Sequence, residues 1–113
     1  MKQKEIWLVN LDQTIGAEIK KTRPCVILND DTIGILPLKI IAPITDFKTK
    51  YLMIPWMVPL KPNTLNHLKK KSVIDLFQLR SIYRHRLVDK IGEISNAELT
   101  ATLEAIKIAF GME

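Results

Sequence analysis

The sequence holds a single cysteine, Cys25, so no disulfide can form within the chain. That usage suits a reducing cytosol. No apolar run approaches the roughly 20 residues needed to span a bilayer, so no membrane helix is expected. No Gly-rich phosphate loop is present, and the pattern does not alternate strand with helix. P-loop and Rossmann-type folds are therefore set aside. No Cys/His pairing stands at metal-ligand spacing, so neither a metal nor a cofactor is expected. Internal repeats, low-complexity tracts and linkers are also missing, and 113 residues fit one domain, 1–113. Met1 to Lys4 runs straight into a strand-like segment without a small-residue cleavage site. A cytoplasmic location is expected.

What is present is positive charge. The formal net charge is +5, which favours a polyanionic partner such as nucleic acid, or an acidic protein. The basic residues gather in three places: Lys20, Lys21 and Arg23; Lys69, Lys70 and Lys71; and Arg80, Arg84, Arg86 and Lys90. The lysine triplet reads more simply as a solvated turn.

Several short strands come first. Glu5–Leu11 is apolar with aromatic and β-branched members, and reads as a strand buried on much of both faces. The stretch from Asp12 to Thr22 lacks periodicity and reads as an exposed loop. Pro24–Leu28 and Leu38–Thr45 are the next strands, and Pro43 places an edge or a bulge within the latter. Leu52–Val58 reads as a fourth strand, Leu60–Lys71 as a polar turn region, Ser72–Tyr83 as one long strand, and Val88–Glu93 as a short last one. Ser95 and Glu98 then match a capping box, and Leu99, Leu103, Ile106 and Phe110 follow at helical spacing. They are expected to face the sheet, with Gly111 ending the helix. Strands followed by one terminal helix predict a mainly β, mostly antiparallel barrel with a helix packed on it.

Three segments carry a more specific signal. The first runs Ile6-Trp7-Leu8-Val9-Asn10-Leu11-Asp12-Gln13-Thr14-Ile15-Gly16-Ala17-Glu18-Ile19-Lys20-Lys21-Thr22-Arg23-Pro24; the second is Ile41-Ala42-Pro43-Ile44-Thr45; the third runs from Ser72-Val73 through Gln78-Leu79-Arg80-Ser81-Ile82 to Arg86-Leu87. Together with the terminal helix they resemble the MazF/PemK-like toxins over nearly the whole chain. Gln13 stands where the family usually has proline, Cys25 where a small apolar residue is common, and Tyr83 where aspartate is usual. The resemblance implies a small SH3-like barrel of the plasmid-toxin (CcdB/PemK-like) type with a C-terminal α-helix. It implies a homodimeric toxin of a type II toxin–antitoxin system that arrests growth. It also implies an acidic antitoxin that neutralises the toxin and binds DNA in complex with it. The activity it implies is sequence-specific, metal-independent cleavage of single-stranded RNA, leaving a 2′,3′-cyclic phosphate and a 5′-hydroxyl.

Such cleavage needs a deprotonated 2′-hydroxyl aimed at phosphorus and a partner for the developing charge. Arg23 suits the second need, because a guanidinium stays charged and matches phosphate oxygens bidentately. Pro24 biases Arg23 towards extended backbone. On composition alone Arg23 is an ordinary surface charge at a strand start; the family pattern makes it catalytic. The resemblance pairs it with Thr45, whose hydroxyl would position the scissile phosphate. An arginine is a poor general base, so Glu18, on the same loop, is the candidate for proton transfer or for organising the loop. RNA binding is assigned to Asp12, Thr14, Lys20 and Lys21, with Gln78, Arg80 and Ser81 from the long strand. His67 and His85 match no catalytic position of the family. Trp7 and Trp56 sit in apolar runs and read as core or dimer packing, and Cys25 as buried and inert, with sensing of the site beside Arg23-Pro24 as its alternative. The main rival is a gyrase-poisoning toxin of the same barrel type, which acts by binding through its C-terminal residues. A plain RNA-binding module is the third reading.

Overall fold

The computed structural model describes residues 1–13, 15–18, 21–33 and 37–112. Among these, the elements run β1 Glu5–Asn10, β2 Thr22–Ile27, β3 Leu38–Asp46, β4 Met57–Leu60, β5 Ser72–Asp75, β6 Arg80–Tyr83, β7 Leu87–Glu93 and α1 Asn96–Ala109. The strands pair antiparallel in the order β4-β5-β3-β2-β1-β7, with β6 also beside β3. A mostly antiparallel sheet with a C-terminal helix is what the sequence pattern predicts. No helix among the described residues is long and apolar enough to cross a membrane.

β3 is the pivot. One edge pairs with β2, while the other pairs with β6 along Leu38–Ile41 and with β5 along Ile44–Asp46. The expected long strand Ser72–Tyr83 is therefore two strands. From Ile44↔Ile74 to Ile41↔Arg80, β3 moves three residues while its partner uses six. The surplus is taken up by a 3₁₀ turn at Leu76–Gln78, where the Asp75 carboxylate accepts the Phe77 amide at 3.0 Å. Such local capping by aspartate competes with strand pairing.

Pro43 lies opposite this interruption. Leu28 donates its amide to the Ile40 carbonyl at 2.9 Å. By antiparallel alternation, Val26/Ala42 is then a bonded pair and Cys25/Pro43 a non-bonded one. The proline nitrogen faces the gap between β6 and β5, where no ladder donor is required. β3 is not the edge strand its proline suggested; the bulge is in its neighbour. The expected strand Leu52–Val58 is also corrected. Thr49–Met53 is a 3₁₀ turn, Met57 donates to the Ile54 carbonyl at 3.1 Å across Pro55, and pairing begins only at Met57. Proline pre-sets the backbone for that kind of turn.

Alternation along β2 and β3 sends side chains to two clusters. Val26, Ala42 and Ile44 join Ile6, Leu60, Ile74 and Ile94 on one face. Cys25, Ile27 and Ile41 join Val9, Leu11, Ile82 and Leu87 on the other. α1 covers the first. Its capping box forms as expected, with Glu98 N donating to Ser95 Oγ at 3.1 Å and Ser95 N to Glu98 Oε1 at 2.8 Å. Its inner stripe is Thr102 and Ala105, flanked by Leu99 and Ile106. The buried Thr102 hydroxyl donates to the Glu98 carbonyl at 2.7 Å. Leu103 and Phe110, expected to face the sheet, are 41% and 67% exposed. The small Thr102 and Ala105 give the helix a narrower contact stripe than Leu spacing implies. At its end Gly111 takes φ +68°, with Gly111 N on Ile108 O and Met112 N on Lys107 O, the paired bonds of a Schellman stop.

Glu5 is a buried carboxylate at the start of β1. Burial alone would raise it. Hydrogen bonds from the Trp7 indole at 2.9 Å and the Lys2 amide at 3.0 Å, with the Met1 ammonium at 3.2 Å, outweigh that and hold it at about 2. Lys90 Nζ lies 3.4 Å away.

Candidate active site

Arg23 is the second residue of β2, exposed and paired with Val9 of β1. Thr45 is half-buried near the end of β3. The β2–β3 pairing runs from Ile27↔Ile41 to Cys25↔Pro43, so Arg23 and Thr45 each lie two residues beyond its last pair, in step with Cys25 and Ile41 by strand alternation. Both therefore project from the face that buries Cys25 and Ile41. The spacing of a strand places them at the open end of that row, beyond Pro43. A guanidinium and a hydroxyl are thus carried on the same face of two neighbouring strands.

Arg80 lies on the same face, because it pairs with Ile41. Its guanidinium draws the Cys25 thiol down, but burial dominates and pushes that thiol up to about 12. Cys25 is therefore held as a neutral thiol, as expected of a buried, inert one. Beside this row opens a pocket of about 360 Å³ lined by Leu11, Ala17, Glu18, Pro43, Gln78 and Arg80, with Phe77 and Leu79. It has two walls. One is the loop between β1 and β2; the other is the segment that the 3₁₀ turn pushes out opposite Pro43. Gln78 donates to Asp75 Oδ2 at 3.3 Å, which braces the second wall.

The loop wall is held by its own polar groups. Leu11 N donates to Lys21 O at 2.9 Å, closing the loop's base. Glu18 Oε1 accepts the Ile15 amide at 2.7 Å. Gln13 adopts φ +71°, a conformation closed to proline, whose ring fixes φ near −65°. The departure from the family's proline at this position thus matches the local backbone.

The structure brings Glu18, Gln78 and Arg80 to one pocket and sets Arg23 and Thr45 on the adjoining face. Asp12 and Lys21 are exposed at the loop's two ends. Thr14 and Lys20 lie outside the described residues. Ser81 pairs with Ile40 and projects from the face opposite Arg80. His67 caps a turn at φ +55°, and His85 packs on Tyr83 with ring centroids 4.6 Å apart. Neither lines the pocket. Trp7 and Trp56 pack against the two clusters, as expected. Lys71 sits 4.1 Å over the Phe47 ring.

Sequence reasoning missed Pro43 and Phe77 as pocket walls, since both were read as strand interior. The Asp75-x-Phe77 spacing, an aspartate poised to cap the amide two residues on, was the available signal. It also missed Arg86, whose Nη1 donates to the carbonyls of Asn10 at 3.1 Å and Asp12 at 3.2 Å.

The family model described as PemK-like, MazF-like toxin of type II toxin–antitoxin system matches residues 2–110. The chain is 32% identical over 114 residues to Endoribonuclease MazF9 of Mycobacterium tuberculosis, covering 96% of this chain and 94% of that one. The solved Mycobacterium tuberculosis toxin MazF-mt6 superposes with a TM-score of 0.77 at 26% identity, over 96% of this chain and 98% of that one. An endoribonuclease in complex with its cognate antitoxin, from a mycobacterial species, superposes with a TM-score of 0.80 over 100% and 97% of the two chains. At 14% identity that last likeness concerns the fold alone. A match across 2–110, together with a relative this similar over nearly its full length, settles the family: the chain belongs to the PemK/MazF-like toxins of type II toxin–antitoxin systems.

Proposed function

We propose that this chain is an endoribonuclease toxin that cleaves single-stranded RNA at short sequences without a metal ion. The observation that carries the reading is that Arg23 and Thr45 lie on the same face of the neighbouring strands β2 and β3, beside the Glu18–Gln78–Arg80 pocket. The 2′-hydroxyl attacks the adjacent phosphorus and loses its proton, while the 5′-oxygen leaves and gains one. The products are a 2′,3′-cyclic phosphate and a 5′-hydroxyl. Arg23 pairs with the non-bridging oxygens as charge builds on them. The Thr45 hydroxyl aims the phosphate. Glu18 stands on the loop wall as proton acceptor, and Arg80 and Gln78 receive the neighbouring nucleotide. Lys21 adds sequence-independent attraction to phosphate. The toxin acts as a homodimer in the cytoplasm, and an acidic antitoxin binds it; a net charge of +5 suits such a partner.

The test is incubation of the purified protein and single-stranded RNA with excess chelator, followed by mapping of 5′ ends and end-group analysis. Cutting with 5′-hydroxyl ends is expected. Arg23→Ala should lower kcat by about 10²–10³-fold, the range for removing one transition-state donor, and leave a folded protein because Arg23 is exposed. Thr45→Ala should relieve growth arrest on expression. Intact RNA beside stalled gyrase would replace this reading with the gyrase-poisoning one.

A further inference from the structure

We propose that Arg86 is a positioning residue that hangs the β1–β2 loop from the corner between β6 and β7, and so sets the separation of the pocket's two walls. The proposal rests on the reading of that pocket as the RNA site.

Arg86 closes a 3₁₀ turn, Arg84–Arg86, directly after β6. It is half-buried. A single guanidinium nitrogen, Nη1, donates to two carbonyls that lie 76 and 74 residues earlier, those of Asn10 and Asp12. These carbonyls flank Leu11, whose amide turns the other way, to Lys21. Asn10 Oδ1 also accepts the Asp12 amide at 3.0 Å. The loop's stem is therefore fixed on both sides: Lys21 closes it and Arg86 suspends it. From this stem the loop carries Ala17 and Glu18 into the pocket. The opposite wall, Gln78 to Arg80, belongs to the segment that leads through β6 into Arg86 itself. One side chain thus ties both walls at their base. Charge-assisted bonds of this kind are about twice as strong as neutral ones. Misplacement of catalytic groups by about 1 Å can cost about 10²-fold in rate.

Arg86→Met keeps the length of the stem and removes the donors. It should lower kcat by about 10²-fold, with KM within about threefold and its salt dependence unchanged. Arg86→Lys supplies charge and donors to the same carbonyls and should keep kcat within about fivefold of the parent. Hydrogen exchange supplies the readout that catalysis alone does not: the Leu11 and Ile15 amides should exchange faster in Arg86→Met and not in Arg86→Lys. Should the methionine variant fail to fold, Arg86→Gln, which is uncharged and whose amide nitrogen ends two bonds short of the Nη1 position, takes its place with the same expected losses. Parental kcat in Arg86→Met overturns the proposal. So does a loss confined to KM with a flattened salt slope, which would make Arg86 a phosphate contact. If the parent protein cuts no RNA, the reading of the pocket falls, and unchanged exchange at Leu11 and Ile15 separately refutes the clamp.

Discussion

The Glu18 carboxylate accepts the amide of Ile15, three residues before it, at 2.7 Å. The same side chain lines the pocket across from Gln78 and Arg80. It therefore has two jobs available, bracing the loop and taking a proton, and substitutions separate them.

Glu18→Gln keeps an acceptor oxygen for Ile15 and removes the base. We expect its kcat to fall by about 10²-fold, at the low end of the range for a positioned general base. Thermal stability and Ile15 amide protection should stay close to the parent. Glu18→Ala should lose both activity and protection. Steady-state kinetics on a short RNA, read beside hydrogen exchange, decides the matter. If Glu18→Gln retains more than a third of parental kcat, Glu18 only organises the loop.

Much of this arrangement is legible from the chain, and the parts that are not have physical reasons. The strand β1, the loop after it and the capped terminal helix follow from local pattern, because each is fixed by periodicity or a cap within a few residues. The role proposed for Arg23 follows from guanidinium chemistry, yet its association with Thr45 came from the resemblance, because the β2–β3 register that puts both on one face is invisible to local propensity. The break at Leu76–Gln78 was hidden because the apolar Val73, Ile74, Leu76, Phe77, Leu79 and Ile82 outweighed the single cap signal at Asp75; the two different registers against β3 force it. Leu103 and Phe110 misled because helical spacing gives a stripe but not which flank of it touches the sheet. Arg86 was legible only as charge, since its carbonyl partners lie more than 70 residues away.

Gly92, in β7, is expected to tolerate no side chain. A Cβ there would lie 2.6 Å from the Leu65 carbonyl oxygen, 2.7 Å from that of Asn66, and 2.8 Å from the Asn66 carbonyl carbon. All three are backbone atoms. They belong to a turn locked by the buried Asn66, whose Oδ1 accepts the Asn63 and Leu68 amides and whose Nδ2 donates to Lys61 O. Glu93 N also donates to Leu65 O at 3.1 Å, which keeps the turn against the strand. Neither side can retreat cheaply. Gly92→Ala should destabilise the fold by about 2–3 kcal/mol, the upper part of the overpacking range. Chemical denaturation measures it, and a loss under about 0.5 kcal/mol, the level of a surface substitution, would show that the 61–71 segment moves aside freely.

Glu5 makes the fold sensitive to acid in a defined window. Its carboxyl titrates at about 2 in the native protein against an ordinary value of 4.5. A carboxylate held low binds fewer protons folded than unfolded, so its contribution is complete above pH 4.5 and is lost as pH falls towards 2. At roughly 1.4 kcal/mol per pH unit, that contribution is on the order of 3 kcal/mol at neutral pH. Glu5→Gln should therefore be less stable than the parent at pH 7 by about 2–3 kcal/mol. The difference should shrink steadily between pH 4.5 and 2. Lys90→Met, which removes a half-exposed partner 3.4 Å away, should cost less than about 1 kcal/mol, because exposed ion pairs contribute little. Denaturation midpoints across that pH range distinguish the cases. A Glu5→Gln deficit that stays constant down to pH 2 would mean that the carboxylate's packing, not its charge, supports the start of β1.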